Sequence, residues 1–411
     1  MPPTTEFSPS PNYRWVIVAV AATMLALGNS LIMNGVSVFI VPFNEEFGWN
    51  RGEVSFMNFT GLMGYALGGV AMGRIADRTA TRPVCVFGAA TLGVCLLFAS
   101  QAWTLWQFYL LFFLAGFFGA GSLFAPLFAN VGRWFGAGVG LAIGITSAGQ
   151  ALGQGGVPFA TAILIGEVGW RDTLLVLGVI TLVVLIPLGL LIREAPARAS
   201  SNLSNATPIA DDLPRTIPAN LAVVWMSAAV IFCCICMSVP LIHLVPLAQD
   251  RQIPLDDAAS VLFVMLIAGI LGRVAFGRLA DVIGAIRAYW LASLWQTALV
   301  AVFLRMDTLE GLYVFAVIYG FGYGGVMTTI LVCVRVLVPL SKGASALGIV
   351  SMFALFGHAL GGFQGGVFFD LTGDYTQSYI NAALAGLVNL IIVGSLFLTV
   401  SRRQAATVAA D

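Results

Sequence analysis

The sequence predicts an all-α integral membrane protein with twelve transmembrane helices in two pseudo-symmetric six-helix bundles. Three observations carry that expectation. Of 411 residues, 59% are apolar and only 9% charged; the charges sit in gaps between long uncharged runs; and the second half of the chain repeats the first. So little polar surface does not suit a soluble globule. A helix needs about 20 apolar residues to cross a bilayer, so the apolar inventory suffices for roughly twelve crossings. Nineteen basic residues balance nineteen acidic ones, leaving no basic excess that would call for a nucleic-acid partner.

The uncharged runs place the helices in order. Those at 15–44, 54–73, 83–132, 134–166 and 173–192 hold the first six, because the run from 83 to 132 fits two crossings turning near Gln101 to Thr104. Those at 216–249, 258–277, 288–304, 311–334, 343–369 and 375–401 hold the other six, and only the second of these is interrupted, by Arg273. The short alternating segments of a transmembrane β-barrel are absent. Between the sets, Pro196, Pro208, Pro214 and Pro218 stand among Ser, Asn and Asp, a linker composition. The expected division is therefore an N-terminal bundle at 1–193, a cytoplasmic linker at 194–218 and a C-terminal bundle at 219–411. The loops leave no room for a grafted enzyme or an ectodomain.

Lys and Arg remain on the cytoplasmic side of membrane proteins. With the N-terminus inside, fourteen of the nineteen basic residues fall on inner loops and ends; Arg51, Arg171, Arg251 and Arg305 fall outside, and Arg273 lies within a span. Both termini are expected in the cytoplasm. The first apolar run is followed by Pro42 and acids rather than by a small-residue cleavage site, so it reads as a retained span.

A shift of 204 residues lays Leu62–Asp77 over Leu266–Asp281 with nine identities in sixteen positions, pairing Gly73, Arg74 and Asp77 with Gly277, Arg278 and Asp281. It also pairs Pro42 with Pro246 and Glu46 with Asp250. Two similar halves suit a carrier that rocks around a site between them. The stretches GRIADRTATR, from Gly73 to Arg82, and GRLADVIGAIR, from Gly277 to Arg287, resemble the repeated cytoplasmic loop of the major facilitator superfamily. That resemblance covers the whole chain. It implies a gating role for Gly73, Asp77, Arg78, Arg82, Gly277 and Asp281, with Ala80 and Thr81 departing from the usual Gly and base. VFIVPFNEEFGWNRGEVS, from Val38 to Ser55, and HLVPLAQD, from His243 to Asp250, are similar to the bacterial monocarboxylate and oxalate/formate porter group, which implies a bacterial inner membrane as the location. Arg133 in RWF fits the same group, although Gly136, Ala137, Gly138 and Val139 replace the basic residues usual after it.

Within the sixteen aligned positions the halves agree on every charge but one: Gly69 corresponds to Arg273. A cation inside a span costs about 2.5–3.5 kcal/mol on insertion scales, which makes it a functional candidate. Helical side chains lean toward the helix N-terminus, so this guanidinium points back toward the midplane rather than out to the nearer interface. Its planar fork can hold a carboxylate bidentately. The resemblance implies the same role, and further implies a pocket lined by Asn34, Phe124, Gln150 and Phe321. Where oxalate-type relatives place a second cation, this chain has Ala354, which favours one carboxylate over two. Where proton-coupled relatives place an Asp four residues before the arginine, it has Gly269.

His243 and His358 are the only residues within the spans that titrate near neutral pH, which makes them the proton-coupling candidates; His358 could also join the pocket, and His243 suits a gate. The crowded Cys233, Cys234 and Cys236 lack the further ligands of a metal site, and no nucleophile, base and oxyanion site assembles. The expectation is a secondary transporter of a small organic monocarboxylate, not an enzyme. It should work by alternating access and proton symport, as a monomer without cofactor or metal. Anion exchange, an oxalate-like dicarboxylate, or a receptor that binds without transport are the alternatives.

Overall fold

The computed structural model describes residues 12–135, 139–195 and 217–408, and among them every regular element is helical. α1 spans Tyr13–Met33; after a 3₁₀ turn at Gly35–Val38 the chain continues as a short helix at Ile40–Phe47. α2 is Arg51–Arg78, α3 is Thr81–Ser100, and α4 is Leu105–Trp134 with a π-turn at Ala115–Ala120. Gly169, at φ 78°, breaks the next helical stretch into α5 at 139–168 and α6 at 170–190. The second set is α7 (Ala219–Gln249), α8 (Leu255–Ile283), α9 (Ala285–Arg305), α10 (Leu309–Leu337), α11 (Leu340–Thr372) and α12 (Thr376–Val408).

These elements match the twelve expected crossings. Among the described residues, ten helical stretches are long and apolar enough to span a bilayer on their own terms. The stretch from Ala142 to Leu190 is one of them and holds both α5 and α6, while α2 is diluted by Arg51, Glu53, Arg74, Asp77 and Arg78. The linker expected at 194–218 falls, from 196 to 216, outside the described residues, as do Gly136 to Gly138.

Each half is built on a close helix pair, and the pairs are equivalent under the 204-residue shift. A β-carbon on Gly68 of α2 would land on the backbone of Phe117 in α4; one on Gly272 of α8 would land on the carbonyl of Phe321 in α10. Gly324 meets the Gly269 carbonyl in the same way. Lipid tails are as apolar as leucine, so helices in a bilayer hold together by such close packing rather than by hydrophobic exclusion. Position 269 is thus part of the α8–α10 seam, which gives a physical reason for glycine there. Gly272→Leu should force α8 away from α10, costing about 1–3 kcal/mol or more as overpacking does. The check is a fall in melting temperature of the detergent-purified protein. Gly69→Ala is the control: its β-carbon meets nothing within 4 Å and should leave the melting temperature unchanged.

Helix ends near Tyr13, Arg78 and Arg193 define a terminal face; those near Phe47, Arg51 and Asp250 define the far face. Contact between the halves concentrates toward the far face. Phe363 of α11 packs on Phe56 and Phe59 of α2, at 5.1 and 6.0 Å between ring centroids. Phe159 of α5 stacks on Phe263 of α8 at 5.7 Å. Toward the terminal face, Gly144 of α5 and its repeat partner Gly348 of α11 have open space where a side chain would be. Among the described residues, the contacts between the halves named above lie toward the far face.

Candidate functional site

Helical phase decides which side chains face the cleft between the halves. A β-carbon on Gly155 of α5 would stand 3.1 Å from Phe263 and 3.3 Å from Leu266, so this face of α8 looks at the other half. Arg273 lies seven residues beyond Leu266, two turns along and on the same face. It is partly exposed, and among the described residues it makes no hydrogen bond or ion pair. Tyr323 of α10, 3% exposed, lies within electrostatic reach of it. On α2, Asn58 faces Gly362 of α11, and eleven residues further along the same face comes Gly69. The repeat-related positions 69 and 273 therefore both border the cleft, one without a side chain and one with a cation.

The other residues implied for the pocket distribute unevenly. Asn34 closes α1 and is fully buried; its amide donates to the Gln154 carbonyl at 3.3 Å and its oxygen is unpaired. Gln150 is partly exposed one turn from Gln154 on α5. Phe124 packs edge-on against Tyr65 at 5.8 Å, and the Tyr65 hydroxyl accepts from Asn29 at 3.1 Å. His358 of α11 is 2% exposed and neither ring nitrogen is hydrogen-bonded, although the Met33 backbone lies beside it. Phe321 is placed differently: its ring sits with Phe276 and Trp295, at 5.7 and 5.9 Å, within the C-terminal half. Tyr323, two residues on and about 200° around the helix, is the α10 residue near Arg273.

The far face is locked by a group that the sequence reading assigned to topology. The Arg51 guanidinium, with its side chain 11% exposed, holds Asp250 of α7 through two bonds of 2.5 and 2.8 Å. It also donates to the Tyr375 hydroxyl at 2.9 Å and stacks over Phe369 at 3.8 Å. Asp370 of α11 accepts from the backbone N–H groups of Arg51 and Gly52, at 2.9 and 2.6 Å. A carboxylate from one half therefore caps a helix N-terminus of the other, where the helix dipole favours negative charge. His243 continues the network: its Nε2 lies 2.7 Å from the Gly362 carbonyl, which can only accept, so Nε2 carries the proton and Nδ1 faces Tyr375 at 3.2 Å.

The repeat-related acids are used differently. Glu46 is held inside its own half by Arg171 at 3.3 Å and by the Trp170 indole N–H. Asp250 is reached by Arg51 from the opposite half. A cavity of about 490 Å³ lined by residues including Glu45, Glu46, Trp170 and Gln249 lies outside this lock, at the far face.

At the terminal face, Arg133 lies 3.8 Å from Asp77 and 3.5 Å from Glu194, both partners being in its own half. The Glu194 carboxylate, rather than Asp77, accepts from the Thr81 N–H at the start of α3, at 2.5 Å. Gly73 and Gly277 face Ala125 and Thr328, 3.7 and 3.5 Å from where a β-carbon would be, which is ordinary contact distance. Among the described residues Arg78, Arg82 and Asp281 make no ion pair. Among the described residues, the ion pairs of Arg133 at this face tie helices within the N-terminal half.

Monocarboxylate transporter 13 of Rattus norvegicus is 28% identical over 399 residues, covering 96% of this chain and 92% of that protein. Monocarboxylate transporter 11 of Homo sapiens is 26% identical over 416 residues, covering 96% and 85%. Among solved structures, a mutant of the nucleoside transporter NupG aligns with a TM-score of 0.75 at 14% identity, covering 94% of this chain and all of that one. An inward-facing bacterial homolog of the human lysosomal transporter Spinster aligns with a TM-score of 0.69 at 16% identity, covering 96% and 98%. The Major Facilitator Superfamily model matches residues 18–241 and 224–410. With the model matching once in each half, over the two helix sets that pack around the Arg273 cleft, the chain belongs to the Major Facilitator Superfamily.

Proposed function

We propose that the protein carries a small organic monocarboxylate across a membrane by alternating access, together with a proton. The observation that carries this reading is Arg273: a cation with no bonded partner among the described residues, on the face of α8 that looks toward α5 of the other half. An unpaired guanidinium there is a site for one carboxylate, held through two parallel N–H bonds in a region of low dielectric. Asn34, Gln150, Phe124, Tyr65 and Tyr323 supply the remaining wall. The similarity to monocarboxylate transporters supports the substrate class, and position 354, where a second cation would favour a dicarboxylate, is alanine. By the distribution of basic residues the terminal face is cytoplasmic, so the far-face lock is the outer gate, shut here.

Reconstituted into liposomes, the protein should accumulate a labelled short monocarboxylate when the outside is acidified, with alkalinisation of the medium. Uptake that needs a trans anion and ignores pH would instead make it an exchanger. Binding with no flux in either direction would make it a receptor.

A further inference from the structure

Resting on the reading that the far face is the outer gate, we propose that His243 is its proton-operated release: the neutral ring completes the closed lock, and a proton taken up on Nδ1 opens it. The lock contains one directed chain of bonds. Arg51 donates to the Tyr375 hydroxyl at 2.9 Å, that hydroxyl lies 3.2 Å from His243 Nδ1, and Nε2 lies 2.7 Å from the Gly362 carbonyl. Its two ends fix every proton between them. A guanidinium can only donate, so the hydroxyl oxygen accepts from Arg51; a carbonyl can only accept, so Nε2 donates to Gly362. Nδ1 is left as a lone pair, and the Tyr375 O–H points at it. The ring is fully buried and Tyr375 is 2% exposed, so water does not substitute for either partner.

An imidazolium does not fit that chain. With a proton on Nδ1, two hydrogens face each other across 3.2 Å, and the Tyr375 hydroxyl must turn its own away while still accepting from Arg51. The charge is a second penalty, because it stands one hydroxyl away from the Arg51 guanidinium, which lies within electrostatic reach of the ring. Moving the ring is no escape. A β-carbon on Gly365 would fall 2.5 Å from it, so α11 holds the ring in place, and the Ser378 hydroxyl pins the Gly365 carbonyl from α12 at 2.7 Å. The step moves one proton from outer water to Nδ1 and breaks no covalent bond; what it breaks is the hydrogen bond between Tyr375 and His243. Once α2 withdraws Arg51, both penalties lapse and water hydrates the imidazolium. Acid therefore favours the open far face, and the closed one is secured as pH rises through the ordinary histidine value of about 6.5.

The charged and titratable groups on the elements packed against this end of α7 leave the release to His243. α2 brings Arg51, and α12 brings Tyr375 and Tyr379. α11 brings His358, one turn before Gly362, and Asp370, which is occupied by the Arg51 and Gly52 N–H groups. α7 itself ends near Asp250, held by Arg51, and Arg251, which turns to the carbonyls of Phe303 and Leu304. α8 starts with Asp256 and Asp257, α9 ends in Arg305, and α10 brings Glu310, Tyr313 and Tyr319. The short helix at Ile40–Phe47 carries Glu45 and Glu46, the latter held by Arg171. Of all these, Arg51 and Tyr375 belong to the bonded chain that ends on the ring. His358 and the carboxylates are the rivals that a non-titrating residue at 243 separates.

The full chain carries the test, with spin labels on cysteines at the exposed far-face positions Gln101 and Glu310, one per half; the six native cysteines are buried. From about pH 7.5 to about 5.5 the ratio of long to short distances should rise about tenfold, as one histidine of ordinary value when exposed dictates. His243→Gln keeps a donor for Gly362 and an acceptor for Tyr375 but takes up no proton. Its distribution should match the parent's at the higher pH and stay there on acidification. His243→Ala frees space at Gly365 and serves where the glutamine variant does not fold: whatever its resting distribution, that should not move with pH. A parent that does not shift overturns the proposal, and so does a variant that shifts as the parent does, since the response would then belong to His358 or to a carboxylate. No substrate enters the measurement, so failure to find a transported acid would sink the transport reading and leave the release standing.

Discussion

Arg273→Lys should keep the charge, the fold and the melting temperature, yet lower uptake about 10- to 100-fold. The reasoning rests on geometry. Guanidinium presents two parallel N–H groups to the two oxygens of a carboxylate, whereas an ammonium is a point charge on a flexible stem. Losing one charge-assisted bond costs about 1.5–3 kcal/mol, and each 1.4 kcal/mol is tenfold in affinity. Arg273→Ala should abolish uptake and the thermal stabilisation by substrate. It should not destabilise the empty protein, because it removes from a membrane helix an unpaired cation that costs about 2.5–3.5 kcal/mol to insert. A structural arginine would show the reverse pattern, with lost stability and retained binding. Full transport by the lysine variant would end the bidentate role.

What the sequence made legible was what repeats or interrupts. Twelve crossings followed from the spacing of charges, and Arg273 stood out because its repeat partner is Gly69. Face was harder to read. A membrane helix is apolar on both its lipid and its protein sides, so hydrophobic pattern does not separate Phe321 from Tyr323, and only the close α8–α10 packing shows which of them approaches Arg273. Asn58 was missed for the same reason, being a single amide in an apolar run. Arg51 was missed because its partners Asp250, Asp370 and Tyr375 lie 199, 319 and 324 residues away. Nothing local marks such a contact; an arginine at a loop reads as topology until both halves are in place. The signature around it is now physically intelligible. Phe47 and Trp49 stack at 4.1 Å, Gly48 takes φ 68° to end the short helix, and the Glu53 carboxylate accepts from the Asn50 N–H at 2.9 Å as α2 begins. Together they aim Arg51 across the cleft.

Arg51→Ala is therefore expected to open the far face. It would strand Asp250 and remove the donor to Tyr375, while leaving the Asp370 cap on α2, which uses backbone N–H groups. Asp250 is about one-third exposed at its side chain, so water would recover part of the loss. A net cost near 2 kcal/mol to the closed state corresponds to a shift of about thirtyfold toward the open one. Phe363, wedged between Phe56 and Phe59, reports it: a cysteine placed there should react with a membrane-impermeant maleimide about thirtyfold faster in the Arg51→Ala background, the population shift just given. The six native cysteines are buried and give little background. Exchanging the pair, Arg51→Asp with Asp250→Arg, should restore slow labelling only in part. The restored ion pair would lack the Tyr375 bond and the Phe369 face, both built around a guanidinium at position 51. Equal labelling rates with and without Arg51→Ala would show that the remaining glycine packing of α2 on α11 shuts the far face by itself, and that the ion pair only decorates it.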